Sequence, residues 1–114
     1  MGAAIGYFSE KNIPVLLPIV DSEKYDLVLD ENGILKRVQC KYTSHQEPSG
    51  AYAVDLRTFG GYREKTYFIK YQKGDFDLLF VLCSNKDKYL IPAEQIIDKS
   101  QIAVGSKSWN NFKI

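Results

Sequence analysis

The sequence predicts a mixed α/β (α+β) domain: one sheet with a helix at each end. Three stretches carry this expectation. "DLLFVLC" (77–83) is a continuous β-prone run of the kind buried inside a sheet. "YDLVLDENGILKRVQCKYT" (25–43) sets Asn32-Gly33 between two extended segments, and Asn-Gly tolerates the positive φ that a tight hairpin needs. "AAIGYFSEKN" (3–12) puts Ala4, Ile5 and Phe8 at near-helical spacing, with Asn12 placed to end the helix.

The remaining elements follow in order. "PVLLPIV" (14–20) reads as a short apolar strand whose two prolines suit an edge or a strand end. "YDLVLD" alternates, with Tyr25, Leu27 and Leu29 opposite Asp26, Val28 and Asp30, and "ILKRVQCKYT" returns antiparallel to it. "SHQEPSG" is a loop and "AYAVDLRT" (51–58) another strand. Two glycines allow "FGGYREK" to bend, and "TYFIKYQ" (66–72) is open between a short helix and a turn. "NKDKYLIP" pairs back on "DLLFVLC", "PAEQIID" suggests a short helix with Pro92 at its first position, and "SQIAV" a last short strand. Asp75 and Asp77 read as a turn and a strand start, and Trp109 as a residue packed on the body or a partner subunit.

The chain of 114 residues is the size of one domain, 1–114, with 45% hydrophobic and 25% charged residues. A net charge of +1 announces no nucleic-acid partner in bulk, although a local patch still can. Cys40 and Cys83 each sit in an apolar run and form no C-x-x-C pair. They read as free buried thiols, which suits a reducing cytoplasm. One histidine and no cysteine cluster argue against structural zinc. The N-terminus lacks a secretory pattern, and "VLLPIV" and "LLFVLC" are too short to span a bilayer. The expectation is a soluble, cytoplasmic domain without a membrane partner.

The chemistry gathers on the Asn-Gly hairpin. Asn32-Gly33 lies about midway between Asp26 and Gln39, so folding the hairpin sets those two side by side. Neighbouring strands are about 4.8 Å apart, close enough for two side chains to share one ion. Lys41 faces the same way as Gln39, because strand side chains alternate with period two. A carboxylate oxygen, an amide oxygen, the Cys40 carbonyl and an ammonium therefore meet. Mg²⁺ favours such hard oxygens and retains waters that substrate phosphates complete or replace. The lysine suits steadying an attacking water or the charge on a phosphoryl group. The plainer alternatives are a capping carboxylate at Asp26, a solvated amide at Gln39 and a snorkelling lysine at Lys41.

At these residues the sequence resembles the PD-(D/E)XK nuclease superfamily, in particular its group I intron-associated, homing-type endonucleases. The archaeal Holliday junction resolvases are a neighbouring branch. The resemblance runs from the first helix to about Pro92 through "GYFSEKNIPVLLP", "SEKYDLVLD", "LKRVQCKYT", "AYAVDLRT" and "DFDLLFV…KYLIPAEQI". It implies a restriction-endonuclease-like mixed central sheet flanked by helices. It gives the metal-binding aspartate's role to Asp26 and the (D/E)-X-K triplet to Gln39, Cys40 and Lys41. The implied catalytic residues are Asp26, Gln39 and Lys41, and the implied ligands of Mg²⁺ (or Mn²⁺) are Asp26, Gln39 and Cys40. Two departures stand out. Gln39 replaces an acid, as the intron-endonuclease branch itself allows, and lowers the expected metal affinity. The helix glutamate of relatives aligns at about Gly2, which implies a site residue encoded upstream of Met1.

Residues 57–73, "RTFGGYREKTYFIKYQK", hold Arg57, Arg63, Lys65, Lys70 and Lys73 against Glu64, a local balance of +4. Tyr62, Tyr67 and Tyr71 are interleaved with them and can hydrogen-bond phosphates or stack on bases. The alternative is a solvated loop with ordinary core tyrosines. Lys36 and Arg37 can extend the same surface. His45 reads as a surface residue, and Asp55 either orients Lys41 or pairs with Arg57. The expectation is a Mg²⁺-dependent endonuclease acting on double-stranded DNA as a homodimer or homotetramer. Its alternatives are a non-catalytic DNA-binding or structural module of the same fold and a junction resolvase-like enzyme.

Overall fold

The computed structural model describes residues 1–20, 24–62 and 65–114, with side chains 58–68 outside that description. Its elements are α1 (Gly2–Glu10), β1 (Val15–Leu16), β2 (Leu27–Glu31), β3 (Ile34–Thr43), β4 (Tyr52–Asp55), β5 (Arg57–Tyr62), β6 (Lys65–Lys70), β7 (Leu78–Cys83), β8 (Lys88–Pro92) and β9 (Gln101–Val104). Short 3-10 turns span Ala93–Gln95 and Asn110–Phe112.

The central sheet has the order β1-β2-β3-β7-β8. It is mixed, because β3 runs parallel to β7 and every other neighbour is antiparallel. Parallel neighbours need a long crossover. Here the crossover contains β4, which pairs with β9, and the β5–β6 hairpin.

Alternation along β7 divides the core. Phe80 joins Ala4, Phe8, Leu27, Leu29 and Val38 beneath α1. Leu79 and Val81 join Val54, Leu56, Tyr71, Phe76, Tyr89, Ile91 and Val104 on the other face. The unbroken apolar run of β7 is thus explained by burial on both sides. The sheet's edges are both shortened. Pro14 and Pro18 confine β1 to two residues, and the C-terminal Lys113 bridges to Tyr89 along β8. Such short or covered edges resist further strand pairing.

The structure departs from the sequence-based expectation at three places. "AYAVDLRT" is two strands, not one. Asp55 Oδ1 accepts the Arg57 N–H at 2.8 Å, a turn of the kind that short acidic side chains make with their own backbone. Buried Leu56 then donates to the Ser100 carbonyl at 3.0 Å, and the chain leaves β9 for β6. "TYFIKYQ" is neither helix nor turn; it supplies most of β6, in register Arg57↔Lys70 through Tyr62↔Lys65. "PAEQIID" closes as a 3-10 turn capped by extended Pro92. Among the described residues one α-helix therefore packs on the sheet, and β-structure covers the opposite face.

Candidate active site

The β2–β3 turn behaves as Asn-Gly requires. Asn32 and Gly33 have φ of 55° and 88°, and Asp30 Oδ1 accepts the Gly33 N–H at 2.8 Å. The register that follows pairs Leu27 with Val38. Asp26 stands one residue before β2, and its N–H donates to the Val38 carbonyl at 2.8 Å. Asp26 is thereby held against β3 just past the last paired residues, Leu27 and Val38.

Backbone groups two residues apart in a strand point to the same side. Cys40 therefore turns its N–H and C=O where Val38 does, toward β2, but there β2 has ended. Side chains fill the vacancy in the ladder. The Cys40 N–H donates to Asp26 Oδ2 at 2.8 Å, and Gln39 Nε2 donates to the Cys40 carbonyl at 3.1 Å. The reverse amide orientation would oppose two acceptors, so Oε1 is the acceptor Gln39 retains. Polar side chains thus satisfy the backbone of β3 where β2 has ended.

Lys41 follows on the face of Gln39, away from α1. Its Nζ donates to the Arg57 carbonyl at 3.4 Å and lies 5.3 Å from the centre of the Tyr71 ring. Burial lowers the Lys41 pKa from its ordinary value, while the charges of Asp55 and Asp26 oppose that shift. Burial also pushes the Cys40 thiol up to about 12, helped by the Asp26 carboxylate. That thiol stays protonated at neutral pH and faces the helix-side core. Only its backbone belongs to the strand-end group.

The available donors are hard oxygens: the Asp26 carboxylate, Gln39 Oε1 and the Cys40 carbonyl. That set fits Mg²⁺ or Mn²⁺, with a single formal negative charge. Among the described residues no group of three His, Cys, Asp or Glu side chains could hold a metal, so the amide and the carbonyl are needed to complete the set.

The predicted binding residues are distributed differently. Arg37 anchors β3 to the start of β7. It donates from Nε to Asp77 Oδ2 at 3.2 Å and from Nη1 to the Gly74 carbonyl at 2.6 Å. The Arg37 hydrogen bond and charge hold the Asp77 carboxyl below its usual range. Lys36 pairs with Glu31 at 3.3 Å. Arg57 pairs with Asp55 at 3.1 Å, which lowers the Asp55 pKa in turn. Lys70 is exposed opposite Arg57 on the hairpin. Arg63 lies outside the described residues, as do the side chains of Tyr62 and Lys65. His45 is exposed. Trp109 packs beside Phe112 against the core.

Tyr71 is a core tyrosine, the alternative that the sequence left open, and its contact with Lys41 is what sequence reasoning missed. It is only 3% exposed, stacked edge-on with Phe76 at 4.9 Å, and so is a core residue beside Lys41 rather than a platform for bases. The interleaved tyrosine pattern gave no signal for this, because the contact spans strands far apart in sequence.

The fold is that of an endonuclease family. It is similar to the solved structure of a bacterial homing endonuclease, I-Ssp6803I, with a TM-score of 0.82 and 28% identity. The match covers 98% of this chain and 82% of that one. The model of the PD-(D/E)XK endonuclease family matches residues 2–108. This chain belongs to that family. No curated protein matches it in sequence. Nucleases of this family generally use divalent metals and act on DNA.

Proposed function

We propose that this chain is a homing-type endonuclease that hydrolyses phosphodiester bonds in double-stranded DNA with Mg²⁺ or Mn²⁺. One juxtaposition carries the reading: at the end of β2, Asp26 and Gln39 both bond to the Cys40 peptide, with Lys41 next along the strand. Asp26, Gln39 Oε1 and the Cys40 carbonyl would hold the cation. When bound, the cation supplies Lewis acidity toward a phosphate oxygen. Lys41 presents its ammonium to the attacking water and to the charge that builds on phosphorus. The tie between Asp26 Oδ2 and the Cys40 N–H fixes the carboxylate before substrate arrives, so little reorganisation is needed on binding.

The β5–β6 hairpin begins at Arg57, whose carbonyl meets Lys41. Arg57 and Lys70 at its base, with Tyr62, Arg63 and Lys65 further along, form the basic arm that grips the phosphate backbone. Arg37 lies on the β3 face of Gln39 and Lys41 and extends the gripping surface, whereas Lys36, one residue away, points to the helix side with Val38 and Cys40. Cutting both strands calls for a symmetric pair of sites, hence a homodimer or homotetramer acting in the cytoplasm. A second reading, a non-catalytic DNA-binding module, is favoured by the neutrality of Gln39, which leaves Asp26 as the sole charged ligand.

Cleavage of a random-sequence duplex pool in MgCl₂, followed by sequencing of the ends, separates the two. The endonuclease reading expects discrete cut sites, lost on chelation, with Asp26→Asn and Lys41→Ala each slowing cutting by about 100-fold or more. Salt-sensitive retention of the pool without any Mg²⁺-dependent cut would establish the binding module instead.

A further inference from the structure

Lys41 is held by the two feet of one hairpin. Arg57, the first residue of β5, contributes its backbone carbonyl to Nζ at 3.4 Å. Tyr71, the residue after β6, contributes its ring face at 5.3 Å. Neither foot is loose. Arg57 is turned by its bonds to Asp55, and the chain beside it is pinned by Leu56, 0% exposed in the core. Tyr71 is wedged against Phe76 with ring planes at 85°. A lysine on a four-carbon stem has many rotamers of similar energy, and a half-buried one needs a reason to keep its ammonium at the strand end. An aromatic face attracts an ammonium through the ring quadrupole, more strongly where water is excluded.

We propose that Tyr71 is a positioning residue: with the Arg57 carbonyl, its ring holds the Lys41 ammonium on the Gln39 face of β3, beside the stretch where β2 has ended. The inference rests on the endonuclease reading for its kinetic consequence, and on geometry alone for the cradle. The ring, not the hydroxyl, carries the effect. Tyr71→Phe preserves the cradle, whereas Tyr71→Leu keeps apolar bulk and removes the quadrupole.

The test joins kinetics with NMR of the intact chain. On the duplex that the parent cuts, Tyr71→Leu is expected to lower kcat about tenfold with KM within about twofold. Tyr71→Phe should match the parent. Ile96→Ala, which opens the same core cluster without touching the lysine, should lower Tm but leave kcat unchanged. In the NMR spectrum, ring current should displace the Lys41 εCH₂ protons in the parent and in Tyr71→Phe, and the displacement should vanish in Tyr71→Leu. A folded Tyr71→Leu protein that cuts as fast as Tyr71→Phe would overturn the proposal, as would undisplaced Lys41 protons in the parent. Absence of cutting by the parent would defeat the endonuclease reading alone, because the proton shifts still decide the cradle.

Discussion

Within the strand-end group, Cys40 offers its peptide and withholds its side chain. The peptide N–H is bonded to Asp26 and the carbonyl to Gln39, while the thiol lies in the helix-side core with its pKa near 12. A residue that acts through its backbone should tolerate loss of its side chain. Cys40→Ala is expected to keep DNA cleavage within about threefold of the parent and to cost about 1 kcal/mol of stability for the lost packing. A large loss of cutting without unfolding would show that the thiol takes part. Gln39 differs from an acid in the same place in two ways. It adds no charge to the donor set, and it has an N–H with which to satisfy the Cys40 carbonyl. The strand end is thus closed by one neutral bond, from Gln39, and one bond to a carboxylate, and Asp26 carries all of its negative charge.

At the scale of elements, the β2–β3 hairpin sets the register that brings the Asp26 carboxylate to the Cys40 peptide. Its turn depends on Gly33 at φ +88°, a conformation that strains any L side chain even though open space surrounds the position. Gly33→Ala should destabilise the fold by about 1–2 kcal/mol in chemical denaturation, a cost of backbone strain alone. β3 is pinned to the start of β7 by Arg37 and Asp77. Arg37 holds the folded pKa of Asp77 below the unfolded value of about 4. The pair's contribution is therefore present above that value and is lost as pH falls through the lower, folded pKa. The Asp77 side chain is 43% exposed, so screening limits the effect to about 0.5–1 kcal/mol. Denaturation of the parent and Asp77→Asn proteins at several pH values should show their stabilities converging as the pH falls below the ordinary carboxylate range of about 4. A gap of constant size would assign the difference to something other than the ion pair. Elements with local chemistry were legible in the sequence: the Asn-Gly turn, the apolar β7 run and the helix-spaced α1. The β6 strand was not, because "TYFIKYQ" has no period of its own and becomes a strand only by pairing with β5. That pairing begins where the Asp55 side chain turns the backbone.

For the whole molecule, the sequence carried the family's landmarks from the first helix to about Pro92, and the family match over residues 2–108 agrees with them. The strand-end placement of Asp26, Gln39 and Lys41 was readable because one hairpin, midway between its partners, dictates it. The surroundings of Lys41 were not readable, because Tyr71 and Arg57 reach it only after the crossover between two parallel strands has folded. The same topology gives the molecule its division of labour. One face of the sheet is sealed by α1. The other carries the strand-end oxygens, with the foot of a basic hairpin beside them. The central claim is that one divalent cation is held at the Cys40 peptide by Asp26 and Gln39. It is tested most directly by titrating Mn²⁺ into the chain bound to duplex DNA and recording paramagnetic broadening of backbone amides. The account predicts selective loss of the Asp26, Gln39, Cys40 and Lys41 amide signals at low Mn²⁺, abolished in Asp26→Asn. Signals at these positions that persist at saturating Mn²⁺, or broadening centred on another part of the fold, would contradict it.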